Sequence, residues 1–256
     1  MNERNSLSGA ELINPYSEDT HKGHQVEQMF DNIAPAYDFM NSAMSFGLHK
    51  WWLRKSLTAA AKAIGSTEPR NILDIATGTG DVAFDLHRDF PDADILGVDL
   101  SAGMLEIAKK KLAGKDEGTK RRITFRKGDS LSLDIVDNSQ DLITVAYGVR
   151  NFEHLKQGYE EMFRVLRPGG VLCVIELSCP ENRLLLSLYN IYSRRIIPAF
   201  GKMISHDTRA YTYLPESIAA APQRRDMTAI MESCGFSKCS WKSLTFGAVT
   251  YYIAHK

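Results

Sequence analysis

Asn71-Ile72-Leu73-Asp74-Ile75-Ala76-Thr77-Gly78-Thr79-Gly80-Asp81 passes from a short apolar run, through two closely spaced glycines, into a helix-like stretch from Asp81 to Arg88. That order reads as strand, tight turn and helix. Glycine lets a backbone approach a ligand closely and tolerates positive φ. The helix that follows offers free N–H groups to polar ligand atoms. Asp99 closes a second short run, Asp94 to Asp99, about 20 residues on, where a carboxylate suits a ribose diol because it accepts from both hydroxyls. The stretch therefore predicts a site for a nucleoside-type cofactor. It does not choose the cofactor, because Gly78 to Ala83 also fits the dinucleotide pattern G-x-G-x-x-G/A. An NAD-dependent oxidoreductase stays open at this point, as does a turn with no ligand.

Working outward, Ile123 to Lys127, Asp141 to Tyr147 and Gly170 to Leu177 read as further strands, with helix patterns between them. Ser101 is a good N-cap for a helix running to Leu112. Strand and helix alternation at this spacing predicts a parallel sheet with crossover helices. Lys238 to Leu244 and Ala248 to Ala254, joined through Phe246-Gly247, predict a closing hairpin whose last strand runs antiparallel. Before the first strand, Val26, Met29, Phe30 and Ile33 recur at helix spacing until Pro35 interrupts them. A second helix is expected from Leu48 to Ile64, closed by Gly65. Residues 1–24 are polar and read as a disordered tail, leaving one domain over residues 25–256. Within it, 25–65 reads as a helical substrate cap and 180–215 as an inserted helical segment.

Composition removes some function classes. The chain has 256 residues, 44% of them hydrophobic, and its 31 basic side chains balance its 31 acidic ones. That suits a globular α/β domain and gives no basic surplus for nucleic acid, so no nucleic-acid partner is expected. Cys173, Cys179, Cys234 and Cys239 show no C-x-x-C spacing and read as free thiols of a reducing cytosol. The histidines show no metal-binding spacing, so no metal is expected. The first residues are polar, and no apolar run approaches the roughly 18 to 20 residues that cross a bilayer.

Three features turn the cofactor reading toward S-adenosylmethionine. Asp74 lies in the strand before the glycine turn, where it can order the loop and meet a positive amino-acid end. Gly128-Asp129-Ser130 follows the third strand, where an acid can accept an adenine amino group. Arg167-Pro168-Gly169-Gly170 then leads into an apolar fifth strand. Together these resemble the class I methyltransferases, and the resemblance implies a Rossmann-like fold with a seven-stranded, mostly parallel sheet and an antiparallel last strand. A closer likeness lies in Tyr37 to Trp51 (YDFMNSAMSFGLHKW), in Gly148-Val149-Arg150-Asn151, and in Arg164 to Ser178 (RVLRPGGVLCVIELS). These resemble signatures of the quinone-biosynthesis C-methyltransferases, which make menaquinone and ubiquinone from demethylated precursors. The resemblance runs from about residue 26 to the end.

What the resemblance implies is specific. Cofactor contacts carry over to Thr79, Asp99, Asp129 and Ser130, joined by Asp74, Gly78 and Gly80 from the glycine turn. Some members have a serine contact where Ala146 stands here, so that contact must be lost or made by backbone. On the substrate side stand Arg150, Asn151 and Tyr37, with His154 one helical turn on as a group that titrates in the useful range. Arginine is a poor base, so Arg150 is expected to stabilise a developing phenolate. The implied reaction is methylation of a polyprenyl quinol, demethylmenaquinol to menaquinol being preferred and the ubiquinone-pathway benzoquinol kept open. Arg183 to Met203 (RLLLSLYNIYSRRIIPAFGKM) is basic and apolar, and is expected either to lie on an anionic membrane, to roof a prenyl channel, or to pack on the sheet. The expected setting is the cytoplasm, with peripheral contact on the inner face of the cytoplasmic membrane. Oligomeric state stays open, a homodimer included.

Overall fold

The structure, a computed structural model, describes residues 9–16, 21–65, 68–196 and 208–256. Seven strands form one sheet in the order β3-β2-β1-β4-β5-β7-β6. They are β1 Asn71–Ile75, β2 Asp94–Asp99, β3 Ile123–Lys127, β4 Gln140–Ala146, β5 Leu166–Leu177, β6 Ser237–Leu244 and β7 Val249–His255. The first five run parallel to one another, and β7 is antiparallel to both β5 and β6. The mostly parallel sheet and the antiparallel last strand are those expected from the sequence.

Alternation along the strands builds two cores. Ile72, Leu142 and Val171 face one side, against Leu57 of α3 (Leu48–Ile64), Leu86 of α4 (Asp81–Asp89) and Leu105 of α5 (Ala102–Ala113). Leu73, Ile143 and Leu172 face the other, against Met162 of α7 (Leu155–Val165) and against Met227 and Met231 of the helix Arg225–Ser233. Strands buried on both faces are what crossover helices produce. The β5 strand begins earlier than expected: Gln140 pairs with Leu166 but Leu142 with Val171, so the Arg167-Pro168-Gly169-Gly170 turn is an irregularity inside the strand.

The N-terminal part adds α1 (Lys22–Ile33) and α2 (Tyr37–Met44), divided at the turn Ala34–Ala36 that Pro35 opens. Ser101 caps α5, its side chain accepting from the Met104 N–H. Within the stretch expected as a tail, Gly9–Leu12 forms a 3-10 turn with Ala10 buried, and α1 starts at Lys22. The cause is an anchor that the polar composition hides: buried Lys22 donates to the Ala10 and Arg150 carbonyls at 2.6 and 3.3 Å. The expected inserted segment contains α8 (Arg183–Ile191), a π-type turn Tyr192–Ile196 and the helix Thr208–Ala220. The stretch 197–203 of the Arg183 to Met203 reading, with Lys202, lies outside the described residues.

Candidate active site

The carboxyl ends of the strands define the site. Strand order reverses between β1 and β4, the switch point where open α/β sheets bind ligands. A cleft opens there, lined by Gly78 after β1, Asp99 and Leu100 at the end of β2, Asp129 and Ser130 after β3, and Ala146 after β4. Gly78 takes φ of 55°, the left-handed region open to glycine. The Asp99 carboxylate accepts from the Gly78 N–H and from the Ser101 N–H, both at 2.8 Å. Burial raises its pKa, and those two N–H groups oppose the rise. Asp129 accepts from the Leu131 N–H at 2.9 Å, which fixes its loop beside the cleft. An added Cβ at Gly148 would come within 2.6 Å of the Ala76 Cβ, so a side chain there would push the floor of the cleft apart.

Four expected cofactor positions thus line the cleft: Gly78, Asp99, Asp129 and Ser130. Three others do not. Asp74 is fully buried and accepts from the Thr77 and Thr144 hydroxyls, both at 2.6 Å. It orders the glycine turn as expected but does not face the cleft, and burial lifts its pKa to about 7. Thr79 turns away because its hydroxyl donates to Asp38 at 2.6 Å, and Lys111 joins Asp38 and Asp81 at 2.7 Å each. Gly80 is a packing glycine at the start of α4, where a Cβ would meet the Phe125 ring at 2.7 Å.

A second, larger cavity of about 350 Å³ adjoins the first, and Tyr37 and Tyr147 line both. Its wall is apolar: Met29, Ile33, Met40, Leu177, Tyr211 and Leu214 among others. Arg150 is the one cationic side chain among its described lining residues that stays charged at any working pH. Its Nη1 donates to Glu176 at 2.6 Å and also to the Tyr147 carbonyl. Burial opposes the charge, but Glu176 beside it keeps the guanidinium ionised. The Arg150 Nε and the Tyr147 hydroxyl are buried with no hydrogen-bond partner in the protein. Both atoms belong to residues that line the chamber, and a buried polar atom without a partner is uncommon.

Asn151 lines the smaller cleft rather than the chamber, its Oδ1 accepting from the Tyr213 hydroxyl at 3.1 Å. His154 lines neither cavity and stands at the start of α7 without a capping bond. That corrects the expected role, since the histidine that does line the chamber is His49. The Ser45 hydroxyl donates to the Asn41 carbonyl at 2.6 Å and meets His49 Nδ1 at 2.7 Å. A hydroxyl has one proton, so Nδ1 is the donor and Nε2 carries the lone pair. Burial, then Lys50, holds His49 below the ordinary imidazole range, against smaller opposing effects of Asp81 and Asp38. Sequence reasoning misses Glu176 and Tyr147, although an acid inside the apolar run Val171 to Leu177 is a readable sign of a buried partner. Among the described residues no group of three or more His, Cys, Asp or Glu side chains is placed to hold a metal.

A family model described as the ubiE/COQ5 methyltransferase family matches residues 18–256. The chain belongs to the ubiE/COQ5 methyltransferase family. Demethylmenaquinone methyltransferase of Bacteroides fragilis is 43% identical over 96% of this chain and 98% of its own length. The Porphyromonas gingivalis enzyme of the same name is 41% identical over 98% and 100%. A Geobacter sulfurreducens relative called ubiquinone/menaquinone biosynthesis C-methyltransferase UbiE is 39% identical over 93% and 90%. Among solved structures, a Haemonchus contortus phosphoethanolamine N-methyltransferase superposes with a TM-score of 0.64 at 16% identity, over 92% of this chain and 59% of that one. A Thermotoga maritima S-adenosylmethionine-dependent methyltransferase gives 0.59 at 19%, over 90% and 99%. These two share the fold. Members of the ubiE family use S-adenosylmethionine, which removes the NAD reading. The cleft fits that donor: Asp99 suits a ribose diol, Asp129 an adenine amino group, and the glycine turn admits a close ligand. Val26, Glu27 and Phe30 of α1 form part of its lining.

Proposed function

We propose that this chain methylates a ring carbon of a demethylated polyprenyl quinol, demethylmenaquinol to menaquinol. The observation that carries the reading is the junction of two unlike cavities at Tyr37 and Tyr147. One carries Asp99, Asp129 and the glycine turn and suits a nucleoside; the other is apolar and is lined by Arg150 and Tyr147, whose unpaired polar groups suit a ring oxygen. The names of the Bacteroides and Porphyromonas relatives favour the naphthoquinol ring.

S-adenosylmethionine supplies the methyl group on a positively charged sulfur. The protein's part is to make a ring carbon nucleophilic and to hold it in line. A phenol-type hydroxyl has a pKa of about 10, so its proton needs an acceptor near neutrality. His49 is that acceptor in this reading: its Nε2 takes the hydroxyl proton, and the electron pair moves onto the ortho carbon. Arg150 Nε and the Tyr147 hydroxyl donate to the oxygen as its charge develops. Burial, Glu176 and Tyr37 keep Tyr147 protonated far above neutrality, so it serves as donor and not as base. The ring then loses its displaced hydrogen and regains the hydroxyl. Glu176 lines neither of these two cavities; it positions Arg150.

Because only a hydroxyl can release that proton, the substrate must be reduced. Turnover of both demethylated rings with labelled S-adenosylmethionine, each as quinol and as quinone, tests the reading. The expected result is methylation of the naphthoquinol and none of either quinone; methylation of quinone under oxidising conditions contradicts it.

A further inference from the structure

The apolar chamber opens beneath a surface that a water-facing protein does not need. No residue of α8 is buried, although its sequence is RLLLSLYNI. Tyr189 and the following Tyr192 line the chamber. Leu184, Leu188 and Ile191, spaced four and three apart, share one face and are 72%, 57% and 51% exposed. A helix apolar on more than one face does not belong at a water boundary.

Two turns repeat the pattern. Phe46 and Phe246 are 81% and 80% exposed, and both take left-handed φ, 51° and 56°. That conformation is unfavourable for a non-glycine residue, which makes little sense for a phenylalanine aimed at water. Both turns border the chamber: Phe46 lines it and stands 6.4 Å from the Tyr192 ring, while Thr245, next to Phe246, lines it as well. Exposed Leu48 and Trp51 continue the rim along α3. Exposed basic side chains accompany them: Lys50, Arg54 and Lys55 on α3, and Arg183 and Arg195 at either side of α8. The exposed acid nearest in sequence to α8, Glu181, already faces Arg224 at 3.6 Å.

We propose that this rim is a docking surface for an anionic lipid bilayer, with Phe46, Phe246 and the Leu184–Leu188–Ile191 stripe entering the acyl region and the basic groups meeting headgroups. The surface rests on the reading of the chamber as the seat of a tailed substrate: a substrate dissolved in the bilayer reaches the chamber without crossing water only if the chamber's mouth lies on the membrane. The charge pattern selects lipid over a second copy of this chain, whose rim would carry the same basic groups.

The test uses the full chain with vesicles of phosphatidylcholine alone or mixed with phosphatidylglycerol. Leu184, Leu188 and Phe246 line neither cavity, so L184S/L188S and F246S leave the site intact. The wild-type protein is expected to sediment with the mixed vesicles, less so in high salt, and each variant to lose roughly tenfold or more in partitioning. Turnover of a tail-less quinol should be the same in all three proteins, and turnover of tailed quinol in vesicles should fall in the variants. Unchanged vesicle binding by the variants overturns the surface. So does a wild type that turns over tail-less quinol yet stays with the supernatant, or one whose light scattering shows a dimer that the variants abolish without any vesicle binding. Failure of the wild type on both quinols would instead reject the proposed function, while sedimentation would still report on the surface.

Discussion

His49 is asked to accept a proton, and its surroundings set when it can. Burial and Lys50 lower its pKa below the ordinary 6.5, while Asp81 and Asp38 oppose them from the glycine-turn side. A lowered pKa means the imidazole is neutral, and competent as a base, throughout the neutral range; it is lost only as pH falls through the depressed value. The acid limb of kcat/KM is therefore expected below pH 6.5. His49→Asn keeps a donor for Ser45 but removes the Nε2 lone pair. It should cost about 10²–10⁴ in kcat and abolish that limb, with cofactor binding unchanged by calorimetry. Retained kcat with the same pH profile would show that another group takes the proton. Legibility at this scale follows the backbone. Asp99, Asp129 and Ser130 can be read because they sit where strands end, and strand ends are visible in sequence. Thr79 cannot, because whether its hydroxyl faces the cleft depends on Asp38, forty-one positions away and on another element. His49 and His154 carry identical side chains, each beside a leucine and near a lysine; only the packing of α2 and α3 around the chamber separates them.

At the scale of elements, α1 contributes Val26, Glu27 and Phe30 to the wall of the cofactor cleft. Its first turn is pinned by Lys22, which is only 2% exposed and ties Ala10 to the Arg150 loop. Glu153 adds a second tie by accepting from the Gly23 N–H at 3.1 Å. Burial depresses the Lys22 pKa from 10.5 to about 8. The sign follows: between those values the unfolded chain holds a proton the folded chain has released, so stability rises with pH across that window. Lys22→Met keeps the stem and removes the donor. It should destabilise the fold by about 1–3 kcal/mol, flatten the rise in thermal stability from pH 8 to 10.5, and speed protease cleavage ahead of α1. An unchanged melting curve at every pH would mean that the amine bears no strain. The same lysine is why a polar start reads as tail: polarity predicts solvation unless a buried carbonyl pair claims the charge. Strands β1, β2 and β3 are legible almost to the residue, since a short apolar run ending at a glycine or an acid has few alternatives to a buried strand. The early start of β5 is not, because Pro168 and Gly169 hide a pairing that resumes beyond them.

For the whole molecule, the sheet order places the cleft with Asp99 and Asp129 and the apolar chamber at the same end, with Tyr37 and Tyr147 lining both. Alternating strands and helices make that architecture legible in the sequence, and two long motifs at opposite ends of the domain make the family legible. The chamber itself is not, because it is assembled from α1, α2, α3, α8 and the helix Thr208–Ala220, whose mutual packing no local pattern encodes. The architecture demands that a methyl group cross from the cleft to a carbon held in the chamber, with the ring oxygens occupied by Arg150, Tyr147 and His49. Oxygen is the competing nucleophile in any quinol, so the position of the new bond decides whether those three groups act as described. The measurement is the reaction of reduced demethylmenaquinol with methyl-deuterated S-adenosylmethionine, followed by air oxidation and mass spectrometry with NMR of the product. A deuterated methyl on the ring carbon of a product that re-oxidises to a quinone is the predicted result. A methyl ether that cannot re-oxidise, or no transfer at all, would contradict it.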